Sequence, residues 1–200
     1  MLKKNKICII GLGYVGLPLA AEFSKKYSVI GFDINQDRIN QINNFIDNTN
    51  EIDKNILNRI IKNEDSDEIG LFCTFSYDNF SGCNIYIVTV PTPIDNENNP
   101  NISALINASI ALSKKIKKGD IIIYESTVYP GLTEDECVPI IEKHSGLKFN
   151  IDFFIGYSPE RINPGDKLHT VDKIKKITSG STEESAVIID NLYKSIIKAG

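Results

Sequence analysis

Residues 6–20 read KICIIGLGYVGLPLA, and this stretch decides the fold. A short β-branched run comes first, three glycines follow in G-x-G-x-x-G order (Gly11, Gly13, Gly16), and a helix-like apolar segment comes last. This strand–turn–helix order is the fingerprint of a dinucleotide-binding βαβ unit. A second apolar run, SVIGFD, ends at Asp33, 22 residues after Gly11, where the fingerprint requires an acidic residue.

Each of the three glycines has its own predicted role. Gly11 allows the tight turn, Gly13 lets the backbone approach a pyrophosphate, and Gly16 lets the helix pack closely on the strand. The diphosphate would then lie at the helix N-terminus, where unpaired amides and the helix dipole favour an anion. A purely structural glycine turn is the alternative. The remaining loop residues are predicted to contact the same cofactor: Leu12, Tyr14 and Val15.

The acidic residue at the end of the second run predicts which dinucleotide is bound. Asp33 would accept hydrogen bonds from the adenosine ribose hydroxyls and would repel a 2′-phosphate, which favours NAD over NADP. Arg38 follows on the next predicted helix and is also assigned to the cofactor site. Three roles for Arg38 stay open: stacking on adenine, reaching a 2′-phosphate, or projecting into solvent.

Strand-like and helix-like segments alternate along the rest of the chain. The predicted strands are KICII, SVIGFD, LFCTF, NIYIVTV, GDIIIYES, FNIDFFIGY and IKKIT. The segments between them have helical spacing, including a long polar stretch, NEIDKNILNRIIKNEDSDE. Alternation with nearly continuous apolar strands predicts an α/β fold: a doubly wound, Rossmann-like, mostly parallel sheet with helices on both faces. We expect residues 1–200 to form one NAD-binding domain.

Composition limits the classes of function. A net charge of −4 and a pI near 5.3 argue against a nucleic-acid or acidic-membrane partner. No stretch approaches the ~18 apolar residues that span a bilayer, so we expect a cytoplasmic protein. The four cysteines form no C-x-x-C pair and have no histidine at ligand spacing, which predicts buried free thiols and no metal site.

Three further strands are followed by residues suited to a site, in the stretches VPTP, STVYPG and YSPER. The carboxyl ends of parallel strands meet at one edge, so Thr92, Thr127 and Glu160 should converge on one crevice. Flanking prolines, Pro159 and Pro164, would hold the loop that carries Glu160. The alternatives are that the threonines cap helices and that Glu160 belongs to a surface ion pair.

Four motifs in this order and spacing, GLGYVGLP, VPTP, STVYPG and SPERINPG, resemble the N-terminal half of the UDP-glucose/GDP-mannose dehydrogenase family. The longer stretches SPERINPGDKLH and VPTPIDNENNPN are most similar to the UDP-N-acetylhexosamine (GlcNAc/GalNAc) 6-dehydrogenases. The resemblance covers essentially the whole chain. It implies oxidation of the C6 hydroxymethyl of a nucleotide sugar to a uronic acid for surface polysaccharides. Two NAD are reduced in succession, through a cysteine thiohemiacetal and thioester.

The resemblance also implies roles for individual residues. Glu160 would carry out acid/base work during thioester hydrolysis, where a fixed carboxylate can remove a proton from the attacking water. Thr127 would lie near the nicotinamide and position water or the sugar, which makes it both a catalytic and a cofactor-binding candidate. Val90 and Thr92 would line the cofactor site. Arg161, with Glu160, would contact the substrate or hold the loop.

The chain departs from the family pattern in one respect. It ends at Gly200 and contains no Gly-Gly-x-Cys segment, which in the family carries the nucleophilic cysteine of a second domain. We therefore expect these residues to bind NAD without completing the oxidation, and we expect the full-length enzyme to be a homodimer. The alternatives are a UDP-glucose or GDP-mannose 6-dehydrogenase, a 3-hydroxyacid or 6-phosphogluconate type of dehydrogenase, and a non-catalytic dinucleotide sensor.

Overall fold

A computed structural model describes residues 5–80, 82–161 and 171–199. The strands of this part of the chain are β1 (Lys6–Ile10), β2 (Ser28–Phe32), β3 (Ile61–Lys62), β4 (Gly70–Thr74), β5 (Ile85–Val88), β6 (Asp120–Tyr124), β7 (Phe153–Tyr157) and β8 (Ser179–Gly180). They form a single sheet in the order β3-β4-β2-β1-β5-β6-β7-β8. Every pairing is parallel except that of β7 with β8.

The helices of the described segments are α1 (Gly16–Phe23), α2 (Gln36–Asn43), α3 (Lys54–Ile60), α4 (Ser103–Ser113), α5 (Val138–Ser145) and α6 (Glu183–Lys194). A π-helical turn, Thr133–Cys137, leads directly into α5. Side chains cap the starts of α2 and α6. The Asn35 side chain accepts hydrogen bonds from the first amides of α2, and Thr182 and Ser185 form a capping box at the start of α6.

The sheet is covered on both faces, as β1 illustrates. Ile7 and Ile9 pack into a core with α1, α2, α3 and α6, whereas Cys8 and Ile10 pack into a second core with α4 and α5. Successive side chains of a strand point to opposite faces, so a strand buried on both sides is apolar throughout. This arrangement confirms the predicted doubly wound, mostly parallel α/β fold.

The strand order reverses between β1 and β5, which are neighbours in the sheet. The chain first builds β1, β2 and β4 outward on one side and then β5, β6 and β7 outward on the other. A crevice opens at the carboxyl ends of strands where such a reversal occurs. The fold therefore places a ligand site beyond the ends of β1 and β5.

Two element predictions were wrong. The run IKKIT is not a strand, because the edge pairing with β7 starts only at Ser179 and lasts two residues. The long polar stretch is helical only over Lys54–Ile60, since Ile61 then turns to extended backbone and pairs with β4.

The cysteine prediction is confirmed, because all four are free and buried. No helix in the described ranges is long and apolar enough to cross a membrane. No group of histidines, cysteines and carboxylates suited to a metal is found in these ranges either.

Candidate functional site

A cleft of about 950 Å³ opens at the carboxyl ends of β1, β5, β6 and β7. Its walls come from the glycine loop, the ends of these strands and the start of α4. Among its lining residues are Gly11, Gly13, Tyr14, Val15, Asp33, Thr89, Val90, Thr92, Asn101, Asn107, Glu125, Ser126, Thr127 and Glu160. The fold thus brings the dinucleotide fingerprint and the three strand-end motifs into one cavity.

The glycine loop is held close to the end of β5. Gly11 has φ +99°, which side chains rarely adopt, and a Cβ on Gly16 would lie 1.8 Å from the Gly11 carbonyl oxygen. The Thr89 hydroxyl is 2.7 Å from that oxygen and donates a hydrogen bond to it. Gly11 and Gly16 are therefore required by the turn itself, and Thr89 locks the turn to the sheet.

The loop fits a dinucleotide diphosphate. A Cβ on Gly13 would meet no atom within 4 Å, so the open space above this residue is available to a ligand. Helix α1 begins at Gly16 with no side-chain cap at Val15 and no acidic residue in its first turn. Amides without a side-chain partner at a helix start favour a phosphate.

Asp33 joins the end of β2 to the glycine loop. Its Oδ2 accepts a hydrogen bond of 2.8 Å from the Leu12 amide, and its Oδ1 accepts one of 2.9 Å from the Asn35 amide. Both bonds fix the carboxylate at the cleft wall, where Asp33 is a lining residue. A ribose diol could share the remaining lone pairs of these oxygens.

Arg38 does not project into solvent, which was one of the three roles that the sequence left open. It is buried, its Nε donates to the Leu12 carbonyl oxygen at 2.8 Å, and its Nη2 lies 2.8 Å from Asp47 Oδ1. Leu12 is buried as well, so neither residue lines the cleft. Arg38 thus supports the glycine loop through the Leu12 carbonyl group, on the side away from the cleft. Its Nη1 is buried without a hydrogen-bond partner among the described residues.

The strand-end motifs are linked to each other by hydrogen bonds. The Thr92 hydroxyl donates to the Thr127 carbonyl oxygen at 2.7 Å, and the Ser126 hydroxyl donates to the Val90 carbonyl oxygen at 2.6 Å. These two bonds hold the end of β5 against the end of β6. They use the threonine and serine as cross-links rather than as helix caps.

Glu160 is anchored rather than free at the surface. Its Oε1 accepts a hydrogen bond of 2.6 Å from the Arg161 amide, and its Oε2 lies 3.0 Å from Lys176 Nζ. Glu160 is therefore held at the cleft by Lys176, whereas Arg161 is exposed and does not line the cleft. Pro164, predicted to brace the same loop, lies outside the described residues.

Lys176 also binds a second carboxylate, Glu125, which follows β6. The distance from Lys176 Nζ to Glu125 Oε2 is 2.5 Å, and the Tyr193 hydroxyl donates to Glu125 Oε1. Burial raises the pKa of Glu125 to about 7, and the nearby Glu160 acts in the same direction, while Lys176 and Tyr193 oppose the rise. Burial likewise raises the pKa of Tyr193 well above its usual value.

Sequence reasoning missed Glu125 and Lys176. Glu125 had a readable signal, because a carboxylate directly follows the run Ile121, Ile122, Ile123 and Tyr124 of β6 and so must lie at the edge that carries the site. Lys176 had none, since it is one of several lysines in a polar segment and its partner is 51 residues away.

The fold and the cleft together define a Rossmann-type dinucleotide-binding domain. Residues 5–197 match the model of the NAD binding domain of the UDP-glucose/GDP-mannose dehydrogenase family. The chain belongs to this family, and the segment it contains is the one that binds NAD.

Named relatives agree with this assignment. The chain is 55% identical to the UDP-N-acetyl-D-glucosamine 6-dehydrogenase of Pseudomonas aeruginosa, over 100% of this chain and 45% of that protein. It is 51% identical to the enzyme of the same name from Salmonella typhi, over 98% of this chain and 44% of that protein. The solved UDP-D-ManNAc dehydrogenase of Pyrococcus horikoshii is 31% identical, with a TM-score of 0.84 over 96% of this chain and 45% of that one. The chain thus spans less than half the length of these relatives.

Proposed function

We propose that residues 1–200 are the NAD-binding domain of a UDP-N-acetylhexosamine 6-dehydrogenase. One observation carries this proposal: a single cleft contains the glycine loop, Asp33, Thr127 and a fixed carboxylate, Glu160. A domain that merely sensed a dinucleotide would not require an anchored carboxylate beside Thr127. The proposed substrate class is that of two relatives to which this chain is more than half identical over nearly its whole length.

The overall reaction converts the C6 hydroxymethyl of the sugar to a carboxylate. Bound NAD accepts a hydride in each of two oxidations, and water supplies the second carboxylate oxygen. The chain's own residues would bind and orient: the glycine loop holds the diphosphate, Asp33 the ribose, and Thr127 the water or the sugar. Val90 and Thr92 belong to the same cofactor wall.

Glu160 would accept the proton of the water that attacks a thioester. Its side chain is 12% exposed and lines the cleft, so its carboxylate can be reached by a water there. The thioester forms on a cysteine that the family carries in a Gly-Gly-x-Cys segment, and residues 1–200 contain no such segment. We therefore expect this chain alone to bind NAD but not to oxidise a UDP-sugar.

Two broader inferences accompany this proposal. We place the enzyme in the cytoplasm, and we expect the full-length protein to be a homodimer. The net charge of −4 supports a small-molecule partner rather than nucleic acid. Light scattering on the full-length protein measures the oligomeric state, and a monomer would contradict the second inference.

Calorimetric titration of the chain with NAD and NADP tests the cofactor half of the proposal. We expect saturable NAD binding, and binding of NADP at least about tenfold weaker because Asp33 repels a 2′-phosphate. Gly13→Ala should abolish NAD binding without loss of stability, because its Cβ occupies only the open space where the diphosphate would lie. Asp190→Ala, at a partly exposed position on α6 that does not line the cleft, is the matched control. Equal affinity for NAD and NADP, or unchanged NAD affinity in Gly13→Ala, would contradict the proposal.

A further inference from the structure

One lysine binds two carboxylates beneath the cleft. The side chains of Lys176, Glu125 and Glu160 are 5%, 0% and 12% exposed, and the ammonium group lies within 3.0 Å of an oxygen of each carboxylate. Both glutamates line the cleft. An ammonium group placed between two carboxylates in the interior is costly to bury, so this arrangement calls for a reason beyond packing.

Separate parts of the chain hold the lysine in place. Glu125 follows β6, Glu160 follows β7, and Lys176 precedes β8. From α6, Tyr193 donates its hydroxyl to Glu125, and its ring lies 5.9 Å from Lys176 Nζ. The Glu160 amide also donates to the Glu125 carbonyl oxygen at 3.3 Å. The titratable groups described around the ammonium are therefore the two glutamates and the tyrosine.

We propose that Lys176 is a positioning residue for Glu160, and that Glu125 and Tyr193 hold its ammonium group for this purpose. This inference rests on the proposed function, in which Glu160 activates the hydrolytic water. Lys176 contacts Oε2 and the Arg161 amide contacts Oε1, so the carboxylate cannot rotate freely. A base fixed in this way keeps its carboxylate oxygens at one place in the wall of the cleft.

The second carboxylate keeps Lys176 paired while Glu160 takes up the proton. With both glutamates ionised, the cluster of two carboxylates and one ammonium carries a net negative charge. When water attacks the thioester carbonyl carbon, its proton passes to Glu160, the carbon–sulfur bond breaks and the thiolate leaves. One carboxylate, Glu125, then remains to balance Lys176. Without Glu125, proton transfer to Glu160 would leave the buried ammonium group of Lys176 without an ionised carboxylate.

The test uses the full-length enzyme and follows NADH in the first turnover and at steady state. Because both hydride transfers precede hydrolysis, a defect confined to water activation leaves a burst of NADH followed by slow turnover. For Lys176→Met we expect the burst to remain and the steady-state rate to fall about 10- to 100-fold, because the base is kept but is no longer held in position. Lys176→Arg should recover part of the rate, and Lys198→Met, which removes an exposed pair with Asp172, should change neither phase.

A double variant keeps the proposal testable if Lys176→Met does not fold. In Glu125→Gln with Lys176→Met the buried unpaired charge is gone, so the protein should fold and bind NAD with wild-type affinity. We expect its steady-state rate to stay as low as that of Lys176→Met. Recovery of the wild-type rate would show that Lys176 serves only to neutralise Glu125, and it would overturn the proposal.

The pH profile and Glu160→Gln complete the design. The steady-state rate of the wild type, plotted against pH, should change slope near neutral pH, where Glu125 titrates. In Glu125→Gln this change of slope should be absent, while the burst of NADH remains. If both profiles are the same, Glu125 does not act on Glu160. Glu160→Gln distinguishes failure of the proposed function from failure of the role of Lys176. An unchanged steady-state rate in this variant would refute the proposed function itself. Slow turnover in Glu160→Gln with normal turnover in Lys176→Met would refute only the role of Lys176.

Discussion

Two buried clusters of charge support the cleft, and they keep their charges in different ways. The Arg38 cluster (Arg38 and Asp47) pairs one guanidinium with one carboxylate behind the glycine loop. Asp47 also accepts hydrogen bonds from the Thr49 hydroxyl and from the amides of Thr49, Glu51 and Ile52. Burial would raise the pKa of Asp47, but these donors and Arg38 outweigh burial and lower it. Asp47 is therefore ionised at neutral pH.

The Lys176 cluster (Lys176, Glu125, Glu160 and Tyr193) has two carboxylates for one cation. Glu125 accepts hydrogen bonds from Lys176 and Tyr193, and burial raises its pKa to about 7. The comparison teaches that donor number and charge ratio decide whether a buried carboxylate stays ionised. A carboxylate that stays ionised around neutral pH suits a support that holds a loop still, whereas a carboxylate that titrates near neutrality suits the surroundings of a base.

The largest expected effect comes from breaking the Arg38 cluster. Arg38→Met leaves the Asp47 carboxylate buried without its cation, and we expect a loss of about 3–5 kcal/mol in the free energy of unfolding. The Leu12 carbonyl oxygen also loses its donor, so NAD affinity should fall. Urea denaturation measures the first effect and calorimetry the second. Arg59→Met, at an exposed position on α3, is the control, and a loss below about 1 kcal/mol in Arg38→Met would contradict the buried pair.

The pH dependence of stability distinguishes the two clusters by sign. The pKa of Glu125 is raised in the folded state from 4.5 to about 7, so between these pH values the unfolded chain releases a proton that the folded chain retains. The contribution of Glu125 to stability therefore declines as the pH rises through this window, by about 3 kcal/mol in total. Urea denaturation of wild type and Glu125→Gln should show the wild type losing stability relative to the variant from pH 4.5 to pH 7.

Asp47 gives the matched comparison for this titration. Its pKa is lowered in the folded state, so its contribution is present above its ordinary value of 3.8 and is lost as the pH falls below it. The stability difference between wild type and Asp47→Asn should therefore shrink only in acid. If both variants showed the same pH dependence relative to wild type, the distinction between the clusters would be wrong.

The glycine loop was predictable from sequence because its determinants are local. Gly11, Gly13 and Gly16 are contiguous with a strand and a helix, and Asp33 lies at a fixed spacing from them. The convergence of Thr92, Thr127 and Glu160 was also predictable, since each follows a parallel strand. Which of them touch a ligand stays a prediction.

The two charged clusters were not predictable from sequence. The residues next to Arg38 in the sequence are polar, as they are for a helix residue exposed to solvent. In the fold, however, Arg38 is buried against Asp47. Lys176 lies in IKKIT, whose β-branched residues favour a strand. The edge pairing starts later, at Ser179, so this segment is free to turn Lys176 inward to both glutamates. Long-range pairing of this kind leaves no periodic signal.

A smaller effect should follow from removing one donor to Glu125. Tyr193→Phe keeps the ring that packs against Phe23 but removes the hydroxyl that donates to Glu125 Oε1. A hydrogen bond to a charged group is worth about 2 kcal/mol, and we expect a loss of this size at pH 8, where Glu125 is ionised. At pH 5, where it is protonated, the loss should be smaller. An equal loss at both pH values would mean that the stabilisation by the Tyr193 hydroxyl does not depend on the charge of Glu125.

The smallest effect is expected for an ion pair of similar length on the surface. Lys194 Nζ lies 2.6 Å from Asp190 Oδ2, close to the 2.5 Å between Lys176 and Glu125, but the two side chains are 64% and 44% exposed. Water screens such a pair, and holding two long side chains in place costs entropy. We expect Lys194→Met to lower the free energy of unfolding by less than about 0.5 kcal/mol in urea denaturation. A loss comparable to that of Arg38→Met would mean that distance, and not burial or the donors around each carboxylate, sets the strength of these pairs.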